Sequence, residues 1–573
     1  MNAIIHTPQP LNEPVKSYAP GSPERADLGA RLAELRAAPI EIPLVIGGKE
    51  VRTGNLGTCL VPHDHGHVLA RYHKAGPAEV EAAVQAALGA WREWSRTSWE
   101  ERVAISLKAA ELVSKQWRYR LGAATMLGQS KTAHQAEIDA ICELADFLRM
   151  NTYFSQQIYQ IQPESFQATW NRLEYRPLEG FVFAVAPFNF TAIAGNLAAA
   201  PALMGNVVVL KPASTAVVSA YFIMKILQEA GLPDGVINFL PGDSSVVARP
   251  LLTHRDLAGV HFTGSNAVFN SIWKTVGEHA ASYRSYPRIV GETGGKDFAI
   301  VHPSAEVQGV ATCLLRGAFE YQGQKCSATS RAYVARSIWP AVLDELRRQL
   351  ARVKVGPVED FGNFMGAVID RTSFDNIASY IEYARQDPSC TIVHGGGCDG
   401  SRGYFVEPTV VLTTDPHCRL MEEEIFGPVL TVYVYDDEDF DSVLDLCDGT
   451  SPYALTGAIF AQDRRAVNRA EERLRHAAGN LWIGISFLTA GMVGRERGGG
   501  KVLARRRWWR LSGGAAALGD DLTGCGWCWT GTSPAEPRAV GVAGGASPGS
   551  RLASRAAPAV GVWRSRGGDR ALP

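Results

Sequence analysis

The chain has 573 residues, 46% hydrophobic and 20% charged, the balance of a folded protein of two or three domains and not of a disordered chain. Its formal net charge of −1 hides an asymmetry. The residues after Asn480 carry 13 Lys and Arg against 5 Asp and Glu, so the body before them is acidic, and no nucleic-acid partner is expected.

No apolar run approaches the roughly 18 residues of a membrane span, so no membrane association is expected. The segment from Met1 to Tyr18 has no apolar signal core and is poor in Arg, which predicts a cytoplasmic protein. Ten irregularly spaced cysteines then read as reduced thiols. Cys525 and Cys528 form a CxxC with no second ligand pair, and no metal site is expected.

In chain order, the first 20 residues read as an arm. Residues 23–38 follow as a helix, with Leu28, Leu32 and Leu35 at helical spacing. Residues 42–51 read as strand and turn with Gly47-Gly48 at the bend. Residues 77–147 are helical, and Ser98-Trp99-Glu100-Glu101 fits a capping box.

From Phe181 short apolar runs alternate with helical patterns. The predicted strands are 181–186, 207–210, 236–240 and 260–263, with a helix at 215–230 among the segments between them. Strand, helix, strand implies a parallel sheet with right-handed crossovers, and ligands then sit beyond the carboxyl ends of the strands. A second α/β stretch runs from 288 to about 480, with strands at 297–301 and 429–435 and a helix at 305–319.

Beyond Asn480 the composition changes. Six of the 13 Trp lie there, with 12 Arg, one Lys and no Tyr, His, Asn or Gln. This reads as the product of a shifted reading frame in a GC-rich gene, the alternative being a low-complexity basic tail.

Chemistry gathers at the strand ends. In Gly323-Gln324-Lys325-Cys326-Ser327, Cys326 follows a helix in a polar turn and Lys325 adds positive charge that favours thiolate. The alternative is a small buried hydrophobe. Glu292, in Gly291-Glu292-Thr293-Gly294-Gly295-Lys296, is either a positioned base or a solvated acid. Asn189, in Pro187-Phe188-Asn189-Phe190, either forms a turn or points its amide at a developing oxyanion. Lys211, in Leu210-Lys211-Pro212-Ala213-Ser214, either stays solvated or reaches a ribose or phosphate. Phe262-Thr263-Gly264-Ser265 opens a helix whose first N–H groups suit pyrophosphate, although no GxGxxG is present.

Taken in order, and with Glu424-Ile425-Phe426-Gly427-Pro428, these segments resemble the aldehyde dehydrogenase superfamily over about residues 42–480. Gly21-Ser22-Pro23-Glu24-Arg25, Tyr175-Arg176-Pro177-Leu178-Glu179-Gly180-Phe181 and Phe319-Glu320-Tyr321-Gln322-Gly323-Gln324-Lys325-Cys326 narrow the likeness. They resemble the branch that oxidises L-glutamate γ-semialdehyde, formed from 1-pyrroline-5-carboxylate, to L-glutamate in proline catabolism.

The resemblance implies an α/β fold with a Rossmann-type NAD-binding domain, a second α/β catalytic domain and a bridging, oligomerising hairpin. The arm and first helix would take residues 1–40 and the NAD-binding domain 41–157 and 182–287. The hairpin would take 158–181, the catalytic domain 288–480 and the atypical tail 481–573.

By the same resemblance, Cys326 is the nucleophile that passes through a thioester, Asn189 and the Cys326 N–H hold the oxyanion, and Glu292 activates the hydrolytic water. NAD would run along Ala186, Pro187 and Phe188, with Lys211 at the adenosine ribose and Gly264 and Ser265 at the pyrophosphate. Glu424 would meet the nicotinamide ribose, with Phe426 beside it. Ser214 stands where many relatives carry Glu, which leaves some NADP use open. The small-molecule substrate would meet Ser327 at its α-carboxylate, Phe190 as a wall and Glu143 at its ammonium. For Glu143 the alternative is an exposed helix charge.

The branch continues after the position of Asn480 with a Gly-Gln-Gln-Pro-Phe-Gly-Gly loop that grips the carboxylate, and then with a strand that completes the oligomer. Neither is recognisable here, and Gly498-Gly499-Gly500 has no Phe before it. A homo-oligomer is therefore expected only with a family-like C-terminus. Impaired turnover, a dehydrogenase for another aldehyde, and an inactive dinucleotide-binding relic are the alternatives.

Overall fold

The computed structural model describes residues 5–484. The expectations for Cys525, Cys528 and the remainder of the tail after residue 484 lie outside the described residues.

Two seven-stranded sheets organise the chain. The first runs in the order Arg288–Glu292, Leu257–Thr263, Phe181–Val185, Val207–Lys211, Ile237–Phe239, Leu44–Ile46, Lys49–Val51. Its first five strands are parallel. The last two form an antiparallel hairpin turned by Gly47-Gly48. The parallel strands are short continuous apolar runs because helices cover both faces of such a sheet. Thr191–Leu203, Val217–Glu229 and Ser244–Leu252 connect them. The helical stretch Pro77–Trp94, Trp99–Ser114, Arg118–Gln129 and Glu143–Gln160 packs into the same core. Ser98 caps the second of these, reciprocally with Glu101.

The second sheet runs Cys390–His394, Thr409–Thr413, Val429–Tyr435, Thr329–Ala335, Asp297–Val301, Thr456–Phe460, Asn480–Ile483. Only the Cys390–His394 edge is antiparallel. Separate apolar clusters cover its two faces, one of them built under the helix Val307–Phe319. Among the described residues no helix is long and apolar enough to cross a membrane.

Three boundaries differ from expectation. Strand Arg288–Glu292 pairs with Leu257–Thr263, so it closes the first sheet and does not open the second domain. Strand Asn480–Ile483 pairs with Thr456–Phe460, so the second sheet extends past residue 480. Residues 161–180 contain no strand, where a hairpin was expected. A ladder needs facing backbone groups. Here the Leu173 N–H donates to Gln162 Oε1 (2.9 Å) and the Asn171 N–H to Ser165 Oγ (3.0 Å), while Phe166 and Trp170 stand exposed.

Candidate active site

The site forms where the chain passes from one sheet to the other. Strand Arg288–Glu292 ends at Glu292, whose carbonyl accepts from the Gly264 N–H at 3.1 Å. The next four residues lead into Asp297–Val301. A Cβ at Gly294 would lie 2.1 Å from Glu424 Oε2, and one at Gly295 would lie 2.3 Å from the Cys326 carbonyl oxygen. Only glycine allows this close approach. The Gly295 N–H donates to Glu424 Oε1 (2.9 Å) and the Gly294 N–H to Asn266 Oδ1 (3.0 Å). Glu292, Glu424 and Cys326 are thereby drawn to one crossing.

Cys326 lies in the turn between helix Val307–Phe319 and strand Thr329–Ala335. The approach is strained. Tyr321 (φ 53°) and Gln322 (φ 55°) take left-handed backbone ahead of Gly323 (φ 66°). Such non-glycine residues cost about 1–3 kcal/mol each and persist where their surroundings hold them. Gln322 Nε2 donates to the carbonyls of Ser130 (3.0 Å) and Ala367 (2.7 Å), and its Oε1 accepts from the Gly366 N–H (3.1 Å). Gln324 Oε1 accepts from the Ile369 N–H at 2.9 Å, and the Gln324 carbonyl accepts from Asn189 Nδ2 at 3.0 Å. Asn189 is thus fixed against the turn that carries the thiol.

Cys326 is 9% exposed. Burial pushes its thiol well above the usual range, and the negative charges of Glu292, Asp297 and Glu424 push it further. Lys325 does not counter this, contrary to the expectation of local thiolate stabilisation. Its Nζ turns to Asp139 Oδ2 (3.1 Å) and Glu320 Oε1 (3.7 Å). Burial raises the Glu292 carboxyl to about 7, the range of a base that works near neutral pH.

The residues expected at the dinucleotide lie at strand ends of the first sheet or face them. The Ala186 N–H donates to the Lys211 carbonyl (3.0 Å), which aligns Ala186, Pro187 and Phe188 beside Lys211. Lys211 is 6% exposed, its Nζ reaches the Pro212 carbonyl at 3.4 Å, and burial lowers its pKa. Ser214 opens the short turn Ser214–Ala216 and is half-buried. Gly264 leads into Ser265, whose Oγ caps helix Asn266–Glu278 through the Val268 N–H (3.4 Å). Phe188 and Phe426 meet edge to face, with ring centroids 5.7 Å apart.

Next to Cys326 in the chain, Lys325 joins a buried charged floor with Lys131, Asp139 and Phe190. Phe190 is buried, and the Ser327 hydroxyl is buried without a hydrogen-bond partner among the described residues. Glu143 is half-buried, and its carboxyl is pushed well up by burial and by Asp139, against the pull of Lys131 and Lys325. Three residues here escaped the sequence reasoning. Lys131 Nζ binds Asp139 Oδ2 at 2.6 Å and lies 4.3 Å from the Phe190 ring centroid and 4.1 Å from that of Tyr321. The signal for Asp139 was its spacing, four residues before Glu143 and hence on the same helical face. Lys131 and Tyr321 carried none. The site thus offers a thiol, a carboxyl group, an amide donor and paired charges in one place.

A profile of the aldehyde dehydrogenase family matches residues 54–501. The protein named mitochondrial delta-1-pyrroline-5-carboxylate dehydrogenase from Dictyostelium discoideum is 51% identical over 501 residues, 87% of this chain and 90% of its own. Its namesake from Bos taurus is 48% identical over 493 residues, covering 86% and 87%. Among solved structures, the delta-pyrroline-5-carboxylate dehydrogenase of Mycobacterium tuberculosis bound with NAD is 49% identical with a TM-score of 0.82, covering 85% of this chain and 90% of that one. A 1-pyrroline-5-carboxylate dehydrogenase from Thermus with bound NAD is 32% identical with a TM-score of 0.79, covering 87% and 95%. The cytoplasmic expectation is overturned, because the Dictyostelium, Emericella nidulans and Bos taurus relatives are named as mitochondrial. It rested on the charge of a short starting segment, which says nothing of where the folded body works. The chain belongs to the aldehyde dehydrogenase family.

Proposed function

We propose that this chain oxidises L-glutamate γ-semialdehyde, the open form of 1-pyrroline-5-carboxylate, to L-glutamate in proline catabolism, with NAD as acceptor. One observation carries the reading. The buried thiol of Cys326 lies near the Glu292 carboxyl and is flanked in the chain by Ser327, whose hydroxyl is buried, and by Lys325, which joins a buried floor of Lys131, Asp139 and Glu143. An aldehyde bearing both a carboxylate and an ammonium group suits such a floor.

The residues present fit NAD. Lys211 has a buried ammonium with one weak partner, and Gly264 and Ser265 begin a helix whose first N–H groups favour a pyrophosphate. Ala186, Pro187 and Phe188 would flank the dinucleotide, Glu424 and Phe426 its nicotinamide end, and Ser214 its adenosine end. When bound, NAD supplies the acceptor for the aldehyde hydride.

The chain's own residues do the rest. Cys326 loses its proton to solvent water, and its Sγ attacks the aldehyde carbon. The second Asn189 Nδ2 N–H and the Cys326 N–H meet the oxyanion, and losing one such donor typically costs about 100- to 1000-fold in rate. Glu292 takes a proton from water, which attacks the resulting thioester and releases L-glutamate. Ser327 holds the α-carboxylate, Phe190 walls the chain and Glu143 meets the ammonium.

The test is NADH formation from the semialdehyde and from propanal, with NAD and with NADP. Turnover of propanal alone, by this chain and by a chimera with a family-type C-terminus joined after Asn480, would leave an aldehyde dehydrogenase of other specificity. A second reading, dinucleotide binding with poor semialdehyde turnover, is favoured by the absence of a Pro-Phe-Gly-Gly sequence after Asn480. We also propose that a homo-oligomer forms only with a family-type C-terminus, a reading supported by the exposed Phe166 and Trp170 and tested by light scattering on this chain and on a chimera joined after Asn480.

A further inference from the structure

The turn Glu137–Cys142 is π-helical and faces two ways. Toward the pocket, Asp139 holds Lys131 and Lys325, and Glu143 follows directly. On the opposite side Glu137 is buried beneath the N-terminal arm. Tyr18 Oη donates to Glu137 Oε2 at 2.6 Å, the Lys16 N–H donates to Oε1 at 2.8 Å, and Arg118 Nη2 pairs with the same oxygen.

The arm is fastened along its length. Glu13 accepts from Arg118 and from Arg149, both at 2.8 Å. The Glu13 N–H donates to Asp146 Oδ1 (2.7 Å), and Asn12 Nδ2 donates to Asp146 Oδ2 (2.8 Å). Tyr18 is buried at φ 51° with its ring edge-on to Phe361, a backbone state that a bulky residue keeps only when its neighbours hold it. A single π-helical turn is rare and recurs at functional sites. Relaxing it to α-helix would rotate the residues on one side of it by about 100° against the other, which would move Asp139 and Glu143 off the pocket.

We propose that arm residues 12–18 are a clasp that keeps the turn Glu137–Cys142 π-helical, which makes Tyr18 and Glu13 positioning residues for placing Glu143 at the substrate ammonium while Asp139 stays paired with Lys131 and Lys325. The ammonium part rests on the substrate reading above; the clasp itself does not.

The test uses the full chain with Tyr18→Phe, which removes one hydroxyl, and Glu13→Gln as a second variant should the first fail to fold. Hydrogen exchange at the amides of residues 138–143 should accelerate about tenfold, the scale of one lost charge-assisted hydrogen bond. KM for the semialdehyde should rise by about the same factor, while kcat/KM for propanal and Kd for NAD change less than about twofold. Unchanged exchange at 138–143 overturns the clasp. Equal losses for both aldehydes overturn the positioning role. If the unsubstituted chain and a chimera with a family-type C-terminus joined after Asn480 both oxidise propanal and not the semialdehyde, the substrate reading has failed, and the exchange comparison still decides the clasp.

Discussion

A thiol and a carboxylate that share one dry site resist carrying charge together. In this protein both Cys326 and Glu292 are displaced upward, the thiol well above its usual range and the carboxyl to about 7. Alkylation of Cys326 by iodoacetamide, followed by mass spectrometry, should therefore be slow at pH 7 and still be rising at pH 9. A plateau below pH 8 would contradict the burial argument. If Glu292 is the hydrolytic base, kcat should fall as pH drops through about 7, because the protonated carboxyl cannot accept from water. That limb should vanish in Glu292→Gln, along with most of the turnover.

The same shift has a sign in stability. The folded protein holds this proton up to about pH 7, and the unfolded chain releases it near 4.5. The stabilisation by the protonated form is full below 4.5 and lost above 7. Glu292→Gln should thus gain Tm relative to the parent between pH 4 and pH 8, by up to roughly 2–3 kcal/mol of stability. An equal Tm difference at both pH values would refute the shift.

At the scale of elements, the strands were legible because parallel strands are buried on both faces and appear as continuous apolar runs. Asp297–Val301 and Val429–Tyr435 stand where their runs put them. Arg288–Glu292 misled because an edge strand, with one neighbour, needs less apolar sequence. Residues 161–180 misled because a resemblance can supply a hairpin for which a single chain lacks the partner strand. At the site, the order and spacing of the motifs singled out residues that the fold brings close, among them Asn189 at the turn before Cys326, whereas Lys131 carried no signal, since a buried ion pair and a solvated charge have the same letters, and Asp139 showed only its spacing from Glu143. Lys325 misled for a related reason: adjacency to Cys326 in sequence says nothing of where its amine points.

The strained turn before Cys326 depends on Gln322. Gln322→Leu keeps the volume and strands two carbonyls and one N–H, each costing about 1–3 kcal/mol. It should lower Tm and depress kcat for every aldehyde while leaving the Kd for NAD near its original value. Unchanged kcat would mean that the turn holds itself.

Across the whole molecule, the elements of the NAD reading lie before Asn480, whereas the carboxylate grip expected by resemblance belongs after it. Two charge-assisted hydrogen bonds are worth about 1.5–3 kcal/mol each, which together correspond to roughly 100- to 10,000-fold in kcat/KM. The parent should therefore favour propanal, and a chimera with a family-type C-terminus joined after Asn480 should recover the semialdehyde by that factor. Equal semialdehyde activity in both proteins would show that this C-terminus supplies its own anchor.

The central claim is that Cys326 carries the acyl group and Glu292 releases it. Glu292→Gln, mixed with NAD and L-glutamate γ-semialdehyde and then digested, should yield the Cys326 peptide bearing a γ-glutamyl thioester, accumulating toward one per chain as an equal amount of NADH forms. NADH formation with an unmodified Cys326 peptide, or the adduct on another cysteine, would contradict it.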